Sequence, residues 1–299
     1  MNILLFAATV LIWGSTWIAI AFQVGPVPVL VSVFYRFALA GLVYLAVLAA
    51  LGRLTWPSAR QQPWIAAQAI CLFSLNFICF YNAAAYVPSG LISVIFSLAT
   101  LFNAVNARIF FGDRITSRVV VASALGVLGV VLLFGPELAA SHPAGVMTGI
   151  GLACLGTLFF SLGNMISRRN SAAGISPVTA TSWGMCYGAV VLLALIAVTG
   201  TRIVAPPSGL YWGALAYLSL IGSVLGFTAY LMMVARLGSA KAAYATVLFP
   251  VVALALSTIY EGYHWHPSAV LGLVFALCGN LVMFLPERLL TPLTRRFSH

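Results

Sequence analysis

Apolar residues run along this chain in blocks of about twenty, parted by short breaks of Pro, Gly, Ser and Arg. An α-helix rising about 1.5 Å per residue needs that length to cross about 30 Å of hydrocarbon. The pattern predicts ten spans: 3–22, 28–51, 63–86, 88–111, 118–135, 145–168, 177–199, 210–234, 239–260 and 267–286. Between them stand helix-stopping groups such as Gly25-Pro26-Val27-Pro28, Trp56-Pro57, Pro88-Ser89-Gly90, Gly135-Pro136, Pro206-Pro207 and His266-Pro267. The first block follows Met1-Asn2 with no basic stretch ahead of it, and reads as a permanent span rather than a cleaved leader.

Composition agrees with this all-α integral membrane class. Hydrophobic residues make up 63% of the 299 and charged residues 6%, too few to clothe a water-soluble globule. A net charge of +10 raises the possibility of nucleic acid, but the cations are scattered between apolar blocks rather than gathered in a patch. Membrane orientation accounts for them better. One set of connections receives Arg53, Arg60, Arg108, Arg114, Arg118, Arg168, Arg169, Arg236, Lys241, Arg288, Arg295 and Arg296, the other only Arg202, and Arg36 lies within a span. The excess of positive charge on the inner side therefore predicts cytoplasmic termini. The five cysteines sit inside apolar blocks without metal or disulfide spacing.

Shifting the chain by 150 residues superposes Ala85 on Ala235, Ser89 on Ser239, Gly112 on Gly262, Gly129 on Gly279 and Phe134 on Phe284. This predicts two five-helix repeats, 1–140 and 141–299. An odd number of spans per repeat forces the halves into opposite orientation, the arrangement used for alternating access.

The residues also resemble a known family. Trp13-Gly14-Ser15, Arg36-Phe37, Gly112-Asp113-Arg114 and Phe249-Pro250-Val251, together with ten spans and a tandem repeat, are similar to the drug/metabolite transporter superfamily and its EamA-type ten-helix members. Two positions depart from the family pattern: Thr100 stands where the first repeat often has proline, and Tyr263 at an acidic position of the second. Within the superfamily the aromatic-rich interior looks most like the bacterial aromatic amino-acid exporters. That resemblance implies a basket of helices around a central cavity, with the fifth and tenth spans peripheral.

Several side chains inside the spans bear on transport. Arg36 lies eight residues into its span, too deep to reach water easily. It reads either as a guanidinium offered to a substrate carboxylate or as a structural arginine holding helix-end carbonyls. In the third span Asn76, Phe77, Phe80, Tyr81 and Asn82, with Ser223, Phe227 and Tyr230 in its repeat counterpart, suit a site that stacks an apolar side chain and hydrogen-bonds amino-acid ends. Taken singly, such rings are more often helix contacts. Asn103, Asn106 and Asn164 are further amides at hydrocarbon depth, some of which serve to join helices. Trp13, Trp17 and Trp183 lie within spans, unlike Trp56, Trp64 and Trp265, which fit the interfacial belt.

Missing chemistry narrows the function. Lys241 stands in no phosphate-binding loop, so ATP hydrolysis is not expected of this chain. Asp113, Glu137, Glu261 and Glu287 lie in connections or at a span end, which argues against a cation/proton exchanger. His142, His264, His266 and His299 lack metal spacing. The expectation is a non-enzymatic carrier of the bacterial inner membrane, without cofactor or metal, exporting aromatic and other neutral amino acids, with uniport the simplest mechanism. Efflux of drugs or other small metabolites is the alternative. Its partners are the small solute and the lipid bilayer, not nucleic acid, and the oligomeric state stays open, a monomer included.

Overall fold

The computed structural model describes residues 2–139, 143–237 and 239–284. His142, Glu287, Arg288, Arg295, Arg296 and His299 lie outside the described residues, as do the side chains of Glu137, Arg236 and Lys241.

Every described element is helical: α1 Asn2–Ala21, α2 Val29–Ala50, α3 Gln62–Ala69, α4 Asn76–Ala83, α5 Ser89–Ser97, α6 Ala99–Phe111, α7 Ser117–Ala139, α8 Pro143–Ala172, α9 Pro177–Thr199, α10 Gly209–Ala216, α11 Gly226–Leu237, α12 Ser239–Tyr260 and α13 Pro267–Phe284. Wider π-helical turns, Ile70–Leu75 and Tyr217–Leu225, join α3 to α4 and α10 to α11. A single turn at Leu98 joins α5 to α6. Each of the ten predicted segments is thus helical. Eight are long and apolar enough to cross a membrane, and two described apolar stretches, Leu248–Tyr260 and Pro267–Met283, are shorter.

Local chemistry explains most boundaries. Pro177 and Pro267 open helices, where a missing N–H costs nothing. Ser176 and Ser208 cap α9 and α10, their hydroxyls accepting from Thr179 N and Tyr211 N, both at 3.2 Å. Gly112 and Gly262, 150 residues apart, end α6 and follow α12 with φ of +73° and +68°, a conformation that side chains resist. One predicted break is not one: α7 runs through Gly135-Pro136 to Ala139, because a proline so near a helix end forfeits a single backbone bond.

Helices α1, α2, α4, α5, α8, α9 and α12 surround the centre, while α7 and α13 pack chiefly on each other at the side. Their contact is backbone to backbone. A methyl group on Gly129 would stand 2.7 Å from Ala276 N and Gly272 O, and one on Gly272 would stand 2.6 Å from Gly129 O. Small residues serve here because lipid offers no hydrophobic drive to press helices together, and dispersion at close range must hold them.

The bundle is tied shut at the end where α1 stops and α5 begins. The Glu261 carboxylate after α12 accepts from Ser89 N at 3.1 Å and from Ser89 Oγ at 2.6 Å, capping α5. Tyr211 donates to Ser32 Oγ at 2.6 Å, and Phe22 meets Tyr260 edge to face.

Gly129→Leu should destabilise the protein by about 1–3 kcal/mol or more, because backbone cannot yield as a side chain can. Gly135→Leu, in the same helix with open space at its Cβ, should be tolerated. Thermal unfolding of the two purified variants in detergent checks the contrast.

Candidate functional site

A central cavity of about 600 Å³ is lined by residues of α1, α2, α3, α4, α5, α6, α8, α9, α11, α12, the end of α13 and both π turns. It reaches from Arg36, 3% exposed, to Arg168, whose side chain is 50% exposed, so it opens at the arginine-rich end and is blind at the other.

The two π turns shape its floor. A π turn shifts backbone bonding from i→i+4 to i→i+5 and leaves carbonyls for side chains to satisfy. Ser223 Oγ donates to Leu218 O at 2.9 Å, and Ser74 Oγ donates to Ala69 O at 3.4 Å and to Gly188 O at 3.2 Å. Trp13 Nε1 takes the Gly222 carbonyl at 3.1 Å. Gly226 leaves the indole its room, since a Cβ there would lie 2.5 Å from Trp13 Nε1. The ring is then wedged against Phe227, Tyr230 and Phe249 at centroid distances of 5.2, 5.0 and 5.5 Å. Trp17 packs edge-on against Phe80 at 5.3 Å, and Phe80 meets Phe96 at 5.5 Å.

Arg36 is the cation of the blind end. Its Nε donates to Ser223 Oγ at 3.4 Å, and its guanidinium lies 4.4 Å from the Phe77 ring centre and 5.3 Å from that of Phe37. No carboxylate lines the cavity among the described residues. On the wall, Asn164 Nδ2 donates to Asn103 Oδ1 at 3.3 Å, joining α8 to α6. At the mouth Arg168 forks onto Asp113, with contacts of 2.6 and 3.3 Å, and lies over Phe111 at 4.2 Å. That hydrogen bond holds the Asp113 carboxyl below its ordinary range.

Of the fifteen residues singled out inside the spans, ten line this cavity: Trp13, Trp17, Arg36, Asn76, Phe77, Phe80, Asn103, Asn164, Phe227 and Tyr230. Five do not. Tyr81 is fully buried behind the wall and donates to Gln23 Oε1 at 2.8 Å. Asn82 Nδ2 turns back to Ile78 O at 2.7 Å. Ser223 is covered by the guanidinium it serves. Trp183 belongs with the belt tryptophans: its Nε1 donates to Thr55 O at 3.0 Å, and its ring sits 4.7 Å from that of Trp56. Depth counted along α9 misplaced it, because Thr55 and Trp56 fold back over that helix.

Asn106 is no lining residue either, its Nδ2 donating to Ser161 Oγ at 2.8 Å. Sequence reasoning passed over Gln68, a lining amide held by Asn170 Nδ2 at 2.9 Å. The rule applied to the asparagines, an amide at hydrocarbon depth, would have found it. Thr100 donates to Asn280 Oδ1 at 2.9 Å, tying the turn at Leu98 to α13.

The EamA-like transporter family matches residues 1–135 and 147–285. The chain belongs to that family. This EamA protein is 29% identical over 261 residues to the uncharacterized inner membrane transporter YedA of Escherichia coli, covering 84% of this chain and 80% of YedA. It is 26% identical over 277 residues to a probable terminal-alkyne amino-acid exporter of Streptantibioticus cattleyicolor, covering 92% and 90%. A solved crystal structure, 18% identical, has the same fold, with a TM-score of 0.67 over all of this chain and 99% of the other. The protein is therefore a multi-pass membrane transporter.

Cysteines placed at Ala104 and Ala107 of the EamA protein, in a background freed of its own five, should react with a water-soluble maleimide. Ser93→Cys, at a site with no exposure, should react at least about tenfold more slowly. Mass spectrometry of labelled membranes measures the rates.

Proposed function

We propose that this protein is an inner-membrane secondary carrier that exports amino acids, aromatic and other neutral ones, by alternating access between two inverted repeats, 1–140 and 141–299. The observation that carries the substrate reading is the Arg36 guanidinium at the blind end of an aromatic cavity whose described lining holds no carboxylate. A guanidinium recognises a carboxylate with paired N–H donors. The rings of Trp13, Trp17, Phe77 and Tyr230 offer an apolar side chain faces and edges to stack on. Asn76, Asn103 and Asn164 supply carbonyl oxygens for an ammonium group. The Streptantibioticus relative, named a probable amino-acid exporter, adds support.

The repeat reading draws on details 150 residues apart. Gly112 and Gly262 share a left-handed backbone, and Asp113 N and Tyr263 N each bond a carbonyl six residues back, Ala107 O and Ser257 O, both at 3.3 Å. The two π turns also occupy matching places in the two halves. With cytoplasmic termini, the arginine-rich mouth faces the cytoplasm, so the structure is an inward-open state closed outside by Glu261 and Ser89. Tyr81, Asn82, Trp183 and Ser223 then act from behind the wall or at its margin, supporting the helices that carry the lining residues.

Proteoliposomes should take up radiolabelled phenylalanine, methionine and threonine down a gradient without ATP. Arg36→Ala should abolish uptake in a protein that still elutes as one folded species, and Arg36→Lys should retain a part. Phenethylamine, which keeps the ring and lacks the carboxylate, should compete at least about a hundredfold less well than phenylalanine, the worth of about two charge-assisted hydrogen bonds. A carrier that moves none of the three amino acids sinks this reading.

A further inference from the structure

One face of the helix that runs from α3 into α4 follows the cavity. Gln68, Leu72, Asn76 and Phe80 recur at every fourth residue, and all four border the space. Gln68 bonds Asn170, close in sequence to Arg168 of the mouth, whereas Asn76 precedes Phe77, whose ring carries the Arg36 guanidinium at 4.4 Å. At a rise of about 1.5 Å per residue the two amides stand about 12 Å apart along the helix. Both are fixed by their oxygens. Gln68 Oε1 accepts from Asn170 Nδ2 at 2.9 Å, and Asn76 Oδ1 accepts from Phe77 N at 2.8 Å. Neither amide can be turned over, because Phe77 N–H only donates and Asn170 Oδ1 is itself held by Arg169 Nη1 at 3.2 Å. The NH2 groups of Gln68 and Asn76 have no protein acceptor, yet neither is among the buried polar atoms that packing leaves without a partner. Each therefore opens on free space, and the space they border is the cavity.

Charge points the same way. Arg168 is paired with Asp113, so Arg36 is the unbalanced charge on the described lining. A carboxylate on Arg36 brings the occupied cavity to neutrality. A zwitterion brings an ammonium group as well, and leaves one positive charge among neutral oxygens, of which those of Asn76 and Asn103 are each already bound once. Dipoles solvate such a charge without balancing it, and at hydrocarbon depth the remainder is costly. An acyl group on the nitrogen removes the charge and puts one carbonyl acceptor and one N–H donor in its place. The carbonyl suits the open NH2 of Asn76, and Asn164 Oδ1 on the wall can accept the N–H. A cavity of about 600 Å³ has room for the added group, since sites of about 300–1,000 Å³ hold drug-sized ligands.

We propose that N-acylated amino acids are the preferred substrates of this cavity, with the carboxylate on Arg36 and the acyl carbonyl on the Asn76 NH2, and that Asn76 sets the preference. This rests on the carboxylate role given to Arg36 above and narrows the other end of the solute. Gln68, nearer the mouth, offers the same donor to the far end of a longer acyl group.

The test compares three ligands that share a ring and a carboxylate: N-acetylphenylalanine, phenylalanine, and 3-phenylpropionate, which has neither ammonium nor acyl group. Binding to the full chain purified in detergent is measured by titration calorimetry, and uptake of the first two in proteoliposomes. N-acetylphenylalanine should bind at least about tenfold more tightly than phenylalanine, and at least about threefold more tightly than 3-phenylpropionate, the worth of about one hydrogen bond. Asn76→Leu should bring the ratio of N-acetylphenylalanine to 3-phenylpropionate down to about one. Asn76→Asp adds an acid to the lining, and should reverse the order in favour of phenylalanine. The proposal is overturned by a wild type that binds phenylalanine as tightly as its acetylated form, that does not separate N-acetylphenylalanine from 3-phenylpropionate, or that binds none of the three. An unchanged order in Asn76→Asp, or an unchanged ratio in a folded Asn76→Leu, overturns the part given to Asn76. A carrier that moves N-acetylphenylalanine and no free amino acid keeps this inference and sinks the free amino-acid reading; one that moves phenylalanine but not its acetylated form sinks this inference alone.

Discussion

At hydrocarbon depth there is no water to take up a backbone N–H or C=O, so each must be met within the protein. Regular α-helix meets this demand locally, and the exceptions in this chain cluster where the cavity is. The π turns at 70–75 and 217–225 loosen the backbone register, and Ser74, Ser223 and Trp13 bond carbonyls of the turns and of the helices beside them. Each of these donors ties its turn to something beyond it. Ser74 reaches α9 through Gly188 O, Trp13 brings α1 onto the turn after α10, and Ser223 passes its remaining lone pair to Arg36. The irregular backbone therefore builds the cavity floor.

From that floor the rest of the site follows by packing. Trp13 is held by one hydrogen bond and three rings, and so presents a fixed edge to the cavity. Arg36, wedged over Phe77, has its cationic face shielded by π density rather than by a carboxylate. The cavity is thereby apolar in area and cationic at its end. At the mouth, by contrast, Arg168 is neutralised by Asp113. The arginine at the mouth is thus paired with an acid, and the one at the blind end is not.

Much of this was legible from the chain alone, and the misses share a cause. Arg36 and the asparagines at 76, 103 and 164 were found because a polar group deep in an apolar block has few reasons to be there. Trp183 was misread by the same depth count, since a loop residue, Thr55, brings its carbonyl down onto the indole. Tyr81 shares a helical face with Phe77 and Phe80, yet Gln23 draws its hydroxyl away behind the wall. Gln23 itself stands just past the end of α1, where hydropathy alone marks a boundary and predicts nothing about burial.

The sequence by itself determined that the chain is helical and membrane-embedded, which stretches of it form helices, and which side chains were too costly to leave in lipid. These follow from chain-local quantities: transfer free energy, helix rise and the chemistry of caps and breaks. Only the tertiary structure decided which polar groups meet one another, that α7 and α13 touch backbone to backbone, and that Arg36 finds a serine and a ring instead of an acid. Those outcomes depend on the rotation and approach of helices far apart in sequence. Several packings of similar energy satisfy the same hydrophobic pattern, and close contact chooses among them.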